Sequence, residues 1–226
     1  MEDKLESHRE QPLIIWGRKS SFNVQKVMWL VDELGLEHEH IPVGGHFGGL
    51  DTAAFLAMNP HKHIPVISDK GSIVWESHAI LRYLAARYGQ STFWSEHAST
   101  RALFDGWMDW SQTTLQPDFL MGVFWEFYRT PEASRNWSMI NASIARCNVH
   151  FHVLENQLKD KKFLCGDSIS LADIPVGTTL YRYFELEIER PYLPHVEAWY
   201  RRLQERPAYR KQVMIPFVEL KGRLDF

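Results

Sequence analysis

Glu76-Ser77 sets a carboxylate beside a hydroxyl at the start of a run whose apolar residues, Ile80, Leu81, Leu84 and Tyr88, fall close to helical spacing. A helix start also presents backbone N–H groups that the helix itself does not use. That combination suits a ligand carboxylate. Upstream, Lys62-His63-Ile64-Pro65 leads into the β-branched pair Val66-Ile67. Pro65 cannot donate to a β-ladder, and this leaves the backbone of Ile64 to pair with another partner. A third polar stretch, Ser20-Ser21-Phe22-Asn23, precedes a helical run. Each feature alone has an ordinary explanation: a proline at a strand start, or Ser, Asn or Glu as a helix cap.

These residues need elements to hold them. Leu13 to Trp16 reads as a buried strand, and Gly17 to Asn23 as a polar turn. Val24, Val27, Met28, Val31 and Leu34 share a helix face that Gly35 ends. Glu37 to Val43 reads as a second strand, parallel to the first because a helical crossover joins them. Gly44 to Gly49 is a flexible loop, and a short helix spans about Thr52 to Met58. Val66-Ile67 and Ile73-Val74-Trp75, split by the turn residues Asp69 to Ser72, form an antiparallel hairpin. The Glu76-Ser77 helix completes a βαβαββα order. Residues 89–97 read as a linker. Beyond it the pattern is helical. Leu103, Trp107, Trp110 and Thr114 share a face, and Ile140 to Leu158 mark a long amphipathic helix. Ser170 and Asp173 form a capping-box start, and Val196, Trp199, Tyr200 and Leu203 mark a further helix. The expected architecture is an α/β domain over 11–90 followed by an all-α domain over 98–226.

Composition removes several function classes. The 226 residues carry a net charge of −3 without a long charge run, which disfavours nucleic acid as a partner. No apolar run approaches a membrane span, and the polar residues 1–10, expected to be a disordered lead-in, lack a secretory core. Two cysteines, Cys147 and Cys165, make neither a disulfide framework nor a metal motif, so a cytoplasmic setting is expected. Cys147 falls in the apolar stripe of the long helix, as a small hydrophobe would. Eleven histidines, including His38, His40, His61 and His63, lack the spacing of a convergent zinc set, and no metal is expected.

The Ile64-Pro65 step, the hairpin and the Glu76-Ser77 pair together resemble the glutathione-binding half of the cytosolic glutathione S-transferases. Gly166 to Ile174 is similar to the helix-capping motif of their second domain, and the resemblance spans about residues 13 to 215. It implies a thioredoxin-like domain with a cis-proline, an all-helical partner domain and a homodimer. It also implies glutathione as substrate. Ser21 matches the catalytic serine of theta- and delta-like classes, with Ser20 as the alternative one residue away. Asn23 fits a bacterial Ser/Thr-x-Asn subgroup, in which disulfide-bond reductase activity occurs. The segment holds no tyrosine or cysteine, so tyrosine-type and covalent cysteine-type classes are disfavoured.

By position, the resemblance assigns Ile64 to the cysteinyl backbone of glutathione. Glu76 takes the γ-glutamyl ammonium, Ser77 its carboxylate, and Lys62 or His63 the glycyl carboxylate. A second substrate, a small apolar electrophile, is expected between the domains. Its wall would draw on Trp107, Trp110, Phe119, Phe124, Trp125 and Phe217, with Arg129 as a polar rim and Tyr128 and Tyr181 as ambiguous neighbours. Aromatics at helical spacing are often core, so about half of these are expected to be packing. The expected activity is a detoxifying glutathione transfer. A disulfide-bond reductase or a non-catalytic binding module of the same fold are the alternatives.

Overall fold

The computed structural model describes residues 12–224, so the expected lead-in lies outside the described residues. Strand β1 (Leu13–Trp16) is followed by helix α1 (Phe22–Glu33), β2 (His38–Ile41) and α2 (Ala53–Met58). Next come β3 (Val66–Asp69), β4 (Ser72–Trp75) and α3 (Ser77–Tyr88). The strands form one sheet in the order β2-β1-β3-β4. β1 pairs parallel to β2, with Ile15 opposite His40, and antiparallel to β3, with Ile15 opposite Ile67. The β3–β4 hairpin turns through Lys70 and Gly71, both at positive φ (49° and 83°). Such a two-residue turn matches the right-handed twist of the strands it joins. Asp69, read from the sequence as a turn residue, is instead buried at the end of β3. It accepts hydrogen bonds at 2.9 Å from Tyr83 and Tyr88 and pairs with Arg87 at 3.2 Å, tying the hairpin to α3.

The residues expected to be linker include a short helix, α4 (Gln90–Phe93). α5 (Ala98–Trp110) then runs on through Ser111–Leu115 and Pro117–Arg129, where the winding widens to π geometry. Pro117 lacks an N–H and crowds the preceding turn, which a tight α-ladder does not accommodate. The buried face here is Phe104, Met108, Ser111 and Leu115. It lies one residue out of phase with the expected Leu103-Trp107-Trp110-Thr114 face, and Leu103 is 61% exposed. Helices α6 (Trp137–Gln157), α7 (Asp173–Glu185), α8 (Pro194–Gln204) and α9 (Pro207–Gln212) complete the fold. α6 buries Ile140, Cys147, Phe151 and Leu154, as its periodicity indicates. Asp173 reaches back to the Ser170 N–H at 2.8 Å, one half of the expected box; the other half is not made, because α7 begins after Ala172 and the Ser170 hydroxyl donates to the Asp173 carboxylate while the Asp173 N–H goes to the Ser170 carbonyl.

Helix α1 is the shared wall of the molecule. Val24, Val27 and Val31 are fully buried, as are Trp29 and Leu30. Tyr209 meets Trp29 edge-on, with ring centres 4.8 Å apart, and donates to the Gly177 carbonyl at 3.0 Å. Arg206 grips Glu33 through two hydrogen bonds of 2.7 and 2.6 Å. A helix clamped on both sides holds its N-terminus at a fixed place between sheet and bundle.

Candidate active site at the N-termini of α1 and α3

A cleft of about 650 Å³ opens where α1 and α3 begin. Ser20, Ser21, Phe22 and Asn23 line it from α1, and Glu76 and Ser77 from α3. Lys62, His63, Ile64 and Pro65 complete this side, while Phe124, Trp125 and Arg129 face them from the π-wound segment. Another hollow, of about 480 Å³, lies by Asp32, Glu33 and Arg206. There Glu33 is paired with Arg206 and Asp32 with Lys211, and the hollow holds none of the residues singled out from the sequence.

Ser21 is the N-cap of α1, with extended backbone (φ −71°, ψ 124°), yet its side chain makes no capping hydrogen bond. The hydroxyl therefore lies on the cleft without serving the helix. Asn23 Oδ1 and Ser77 Oγ are buried with no hydrogen-bond partner within the protein. Buried polar atoms are nearly always satisfied, so unpartnered ones beside a cleft call for a polar ligand. Glu76 adopts φ 69°. A non-glycine residue there costs about 1–3 kcal/mol, and such strain concentrates at binding sites. The Ile64–Pro65 peptide is cis. Lys62 and His63 are exposed on a loop that Asn59 pins: its Nδ2 donates to the His63 carbonyl at 2.9 Å, and its Oδ1 accepts from the His61 N–H at 3.1 Å. Gly44 takes φ +83°, and a Cβ there would lie 3.3 Å from both Arg18 Nη1 and Ile64 Cδ1. Glycine thus lets the 44–49 loop pass close by the cleft.

The aromatic wall divides. Phe124 and Trp125 line the cleft, and Phe217 is buried behind Phe124, edge-on at 5.4 Å. Trp107, Trp110 and Phe119 lie elsewhere. Trp107 packs edge-on to Trp110, Trp110 meets His150, and Phe119 is fully buried against Tyr183. Leu120 and Met121 take the positions on the cleft expected of those aromatics. Cys147 and Cys165 stand off the cleft, and burial pushes their thiols up to about 12 and about 11. Among the described residues, no three His, Cys, Asp or Glu side chains group as metal ligands, and no helix is long and apolar enough to cross a membrane.

Lys26 and Arg182 went unnoticed in the sequence. Lys26 is fully buried one turn into α1, donating Nζ to Gln116 Oε1 at 2.7 Å and lying 3.2 Å from His78 Nε2. It joins α1 to α3 at His78, the residue after Ser77, and to Gln116 in the π-wound stretch. The unbroken apolar run Val27 to Val31 was the available signal, since a helix buried all round also buries its polar residues. Burial lowers Lys26 to about 7, against the raising effect of Glu76, and burial with Lys26 nearby takes His78 down to about 2. The unfolded chain keeps the Lys26 proton to about pH 10, so between pH 7 and 10 the unfolded state binds more protons and stability rises with pH. The stability advantage of wild type over Lys26→Met is expected to grow across that window, at up to about 1.4 kcal/mol per pH unit. Urea midpoints in a pH series measure it, and a flat difference would assign Lys26 an ordinary pKa.

The chain matches two family models: glutathione S-transferase N-terminal domain over residues 11–86, and glutathione S-transferase C-terminal domain over residues 117–207. It is 40% identical over 206 residues to glutathione S-transferase GstB of Escherichia coli (strain K12), covering 90% of this chain and 99% of that one. It is 36% identical over 164 residues to glutathione S-transferase theta-1 of Rattus norvegicus, covering 67% and 65%. Among solved structures, the theta class glutathione S-transferase from Xanthomonas axonopodis pv. citri with glutathione bound superposes with a TM-score of 0.86 at 42% identity, over 91% of this chain and 99% of that one. A thioredoxin-like sheet, a helical bundle and a cleft at two helix N-termini, matched along nearly the whole chain, make this protein an enzyme of the glutathione S-transferase family.

Proposed function

We propose that Ser21 activates the thiol of bound glutathione, with Asn23 as a second donor, for attack on a small electrophile held against Leu120, Met121, Phe124 and Trp125. The observation that carries this reading is the Ser21 hydroxyl, which lines the cleft and makes no capping bond. In this reading Glu76 and Ser77 hold the γ-glutamyl end, Ile64 the cysteinyl backbone, and Lys62 or His63 the glycyl carboxylate. An ordinary thiol has a pKa of about 8.5, so a few per cent is ionised at neutral pH. A hydroxyl donor at a helix N-terminus stabilises the thiolate and lowers that value. The thiolate then forms the C–S bond, the leaving group departs with its electron pair, and the thiol proton passes to solvent.

Ultraviolet thiolate absorbance of bound glutathione across pH tests this. Wild type is expected to lower the thiol pKa. Ser21→Ala is expected to return it by about 1–2 units and to cut kcat/KM about 10- to 100-fold, since one pKa unit is about 1.4 kcal/mol. A loss confined to Asn23→Ala would move activation to the asparagine, whose side-chain N–H would be the donor, and favour disulfide-bond reduction, for which the place of Asn23 on the cleft is the supporting observation. Binding without any shift in wild type would overturn the transferase mechanism in favour of a non-catalytic glutathione-binding module.

A further inference from the structure

The helical domain reaches the turn before α1 through the side chain of Arg182. This residue of α7 is buried, and its Nη2 donates to the Ser20 carbonyl at 2.7 Å, across 162 positions of sequence. The same nitrogen reaches Gln25 Oε1, in the first turn of α1, at 3.5 Å. Rings cage the guanidinium: its Cζ lies 4.6 Å from the ring centre of Phe124, 5.5 Å from that of Phe22 and 5.9 Å from that of Phe217. Faces packed on a planar fork hold it in one orientation.

The acceptor is one half of the Ser20–Ser21 peptide. The other half, the Ser21 N–H, donates to the Arg18 carbonyl at 3.0 Å. The peptide that leads into Ser21 is therefore held from both sides. On the far side of the residue, the Ser21 carbonyl accepts from the Gln25 N–H at 2.9 Å. With that backbone fixed, the Ser21 oxygen can move only about its Cα–Cβ bond. Holding the domains together does not require this contact, because Tyr209 already packs on Trp29 and Arg206 already grips Glu33. A half-buried turn carbonyl such as that of Ser20 can also be satisfied by water, whereas taking a guanidinium out of water is costly.

We propose that Arg182 is a positioning residue for thiol activation: from the helical domain it fixes the Ser20–Ser21 peptide and so aims the Ser21 hydroxyl at the glutathione sulfur. The inference rests on the reading of Ser21 as the activating group. Two other accounts compete with it. In one, the arginine only joins the domains. In the other, its charge attracts the thiolate directly, without acting through Ser21.

A double-mutant cycle on the thiol pKa of bound glutathione, read by ultraviolet absorbance, separates the three. Arg182→Met keeps an apolar arm and removes the donors. It is expected to raise the thiol pKa by about 0.5–1 unit, because a misplaced hydroxyl stabilises the thiolate less, with glutathione affinity within about twofold of wild type. In the Ser21→Ala background the same change is expected to leave the thiol pKa where it is. Should the methionine variant not fold, Arg182→Lys, which keeps the charge but not the fork, takes its place in the cycle with a rise of the same sign expected. An unchanged thiol pKa in the folded variant, with Ser21→Ala still raising it, would overturn the proposal in favour of a domain contact and leave the Ser21 reading standing. An equal rise in the Ser21→Ala background would overturn it in favour of a direct charge effect. Wild type that binds glutathione with an unshifted thiol would overturn the Ser21 reading, and this inference with it.

Discussion

Asp173→Ala is expected to lower the unfolding free energy by about 4 kcal/mol, and the melting temperature by about 8–16 °C for a chain of this size. Asp173 is fully buried at the start of α7. Its Oδ2 accepts from the Ser170 N–H and the Ser170 hydroxyl, both at 2.8 Å, and its Oδ1 accepts from the Leu164 N–H at 2.9 Å. Truncation strands three buried donors at once, each worth about 1–3 kcal/mol when left unsatisfied. The pH dependence has a definite sign. Burial raises the Asp173 carboxyl to about 6, against its hydrogen bonds, so between pH 4 and 6 the folded state binds more protons than the unfolded one. The Asp173 contribution is fully present below about pH 4 and declines as pH rises through 6. The deficit of Asp173→Ala should therefore be larger at pH 4 than at pH 7. Denaturant unfolding at both values measures it, and a deficit under about 1 kcal/mol at each would reduce Asp173 to a surface-like cap.

Ser77→Ala is expected to weaken glutathione binding about 10- to 100-fold while leaving the fold within about 0.5 kcal/mol of wild type. The residue is 2% exposed, and its hydroxyl has no partner within the protein. Removing a buried, unpaired hydroxyl takes away a desolvation cost and breaks no internal bond. In the proposed complex the same hydroxyl donates to the γ-glutamyl carboxylate, a charge-assisted bond of about 1.5–3 kcal/mol. Calorimetric titration with glutathione, paired with urea unfolding, separates the two effects. Unchanged affinity would place that carboxylate elsewhere. Lost affinity together with lost stability would make Ser77 a structural residue.

Much of the glutathione side of the cleft was legible because its signals are local. The alternation of Val66-Ile67 and Ile73-Val74, the turn residues between them and the Glu76-Ser77 helix start each follow from a few neighbouring residues. The structure brings Ser21, Asn23, Lys62, His63, Ile64, Pro65, Glu76 and Ser77 to one cleft. The second-substrate side was legible only in part. Phe124, Trp125 and Arg129 line the cleft, while Trp107, Trp110 and Phe119 went to packing. Helical periodicity shows that a stripe exists. Which stripe meets which neighbour depends on the crossing of segments far apart in sequence, and α5 settled one residue away from the expected phase.

The sequence by itself determined the order of elements, the hairpin, the reach of Asp173 back to Ser170 and the identity of the polar residues at two helix starts. These depend on side-chain period, turn chemistry and capping, all short-range. Tertiary structure decided the rest. It buried Lys26 against His78 and Gln116, turned Asp69 from a turn residue into an anchor, and widened the helix around Pro117. It also gathered Arg18, Arg129 and Arg182 at one wall. Residue type alone predicts that lysine and arginine lie in solvent. Only the packing of α1 against α7 and the π-wound segment takes these charges out of water, and that is a property of the assembled chain rather than of any stretch of it.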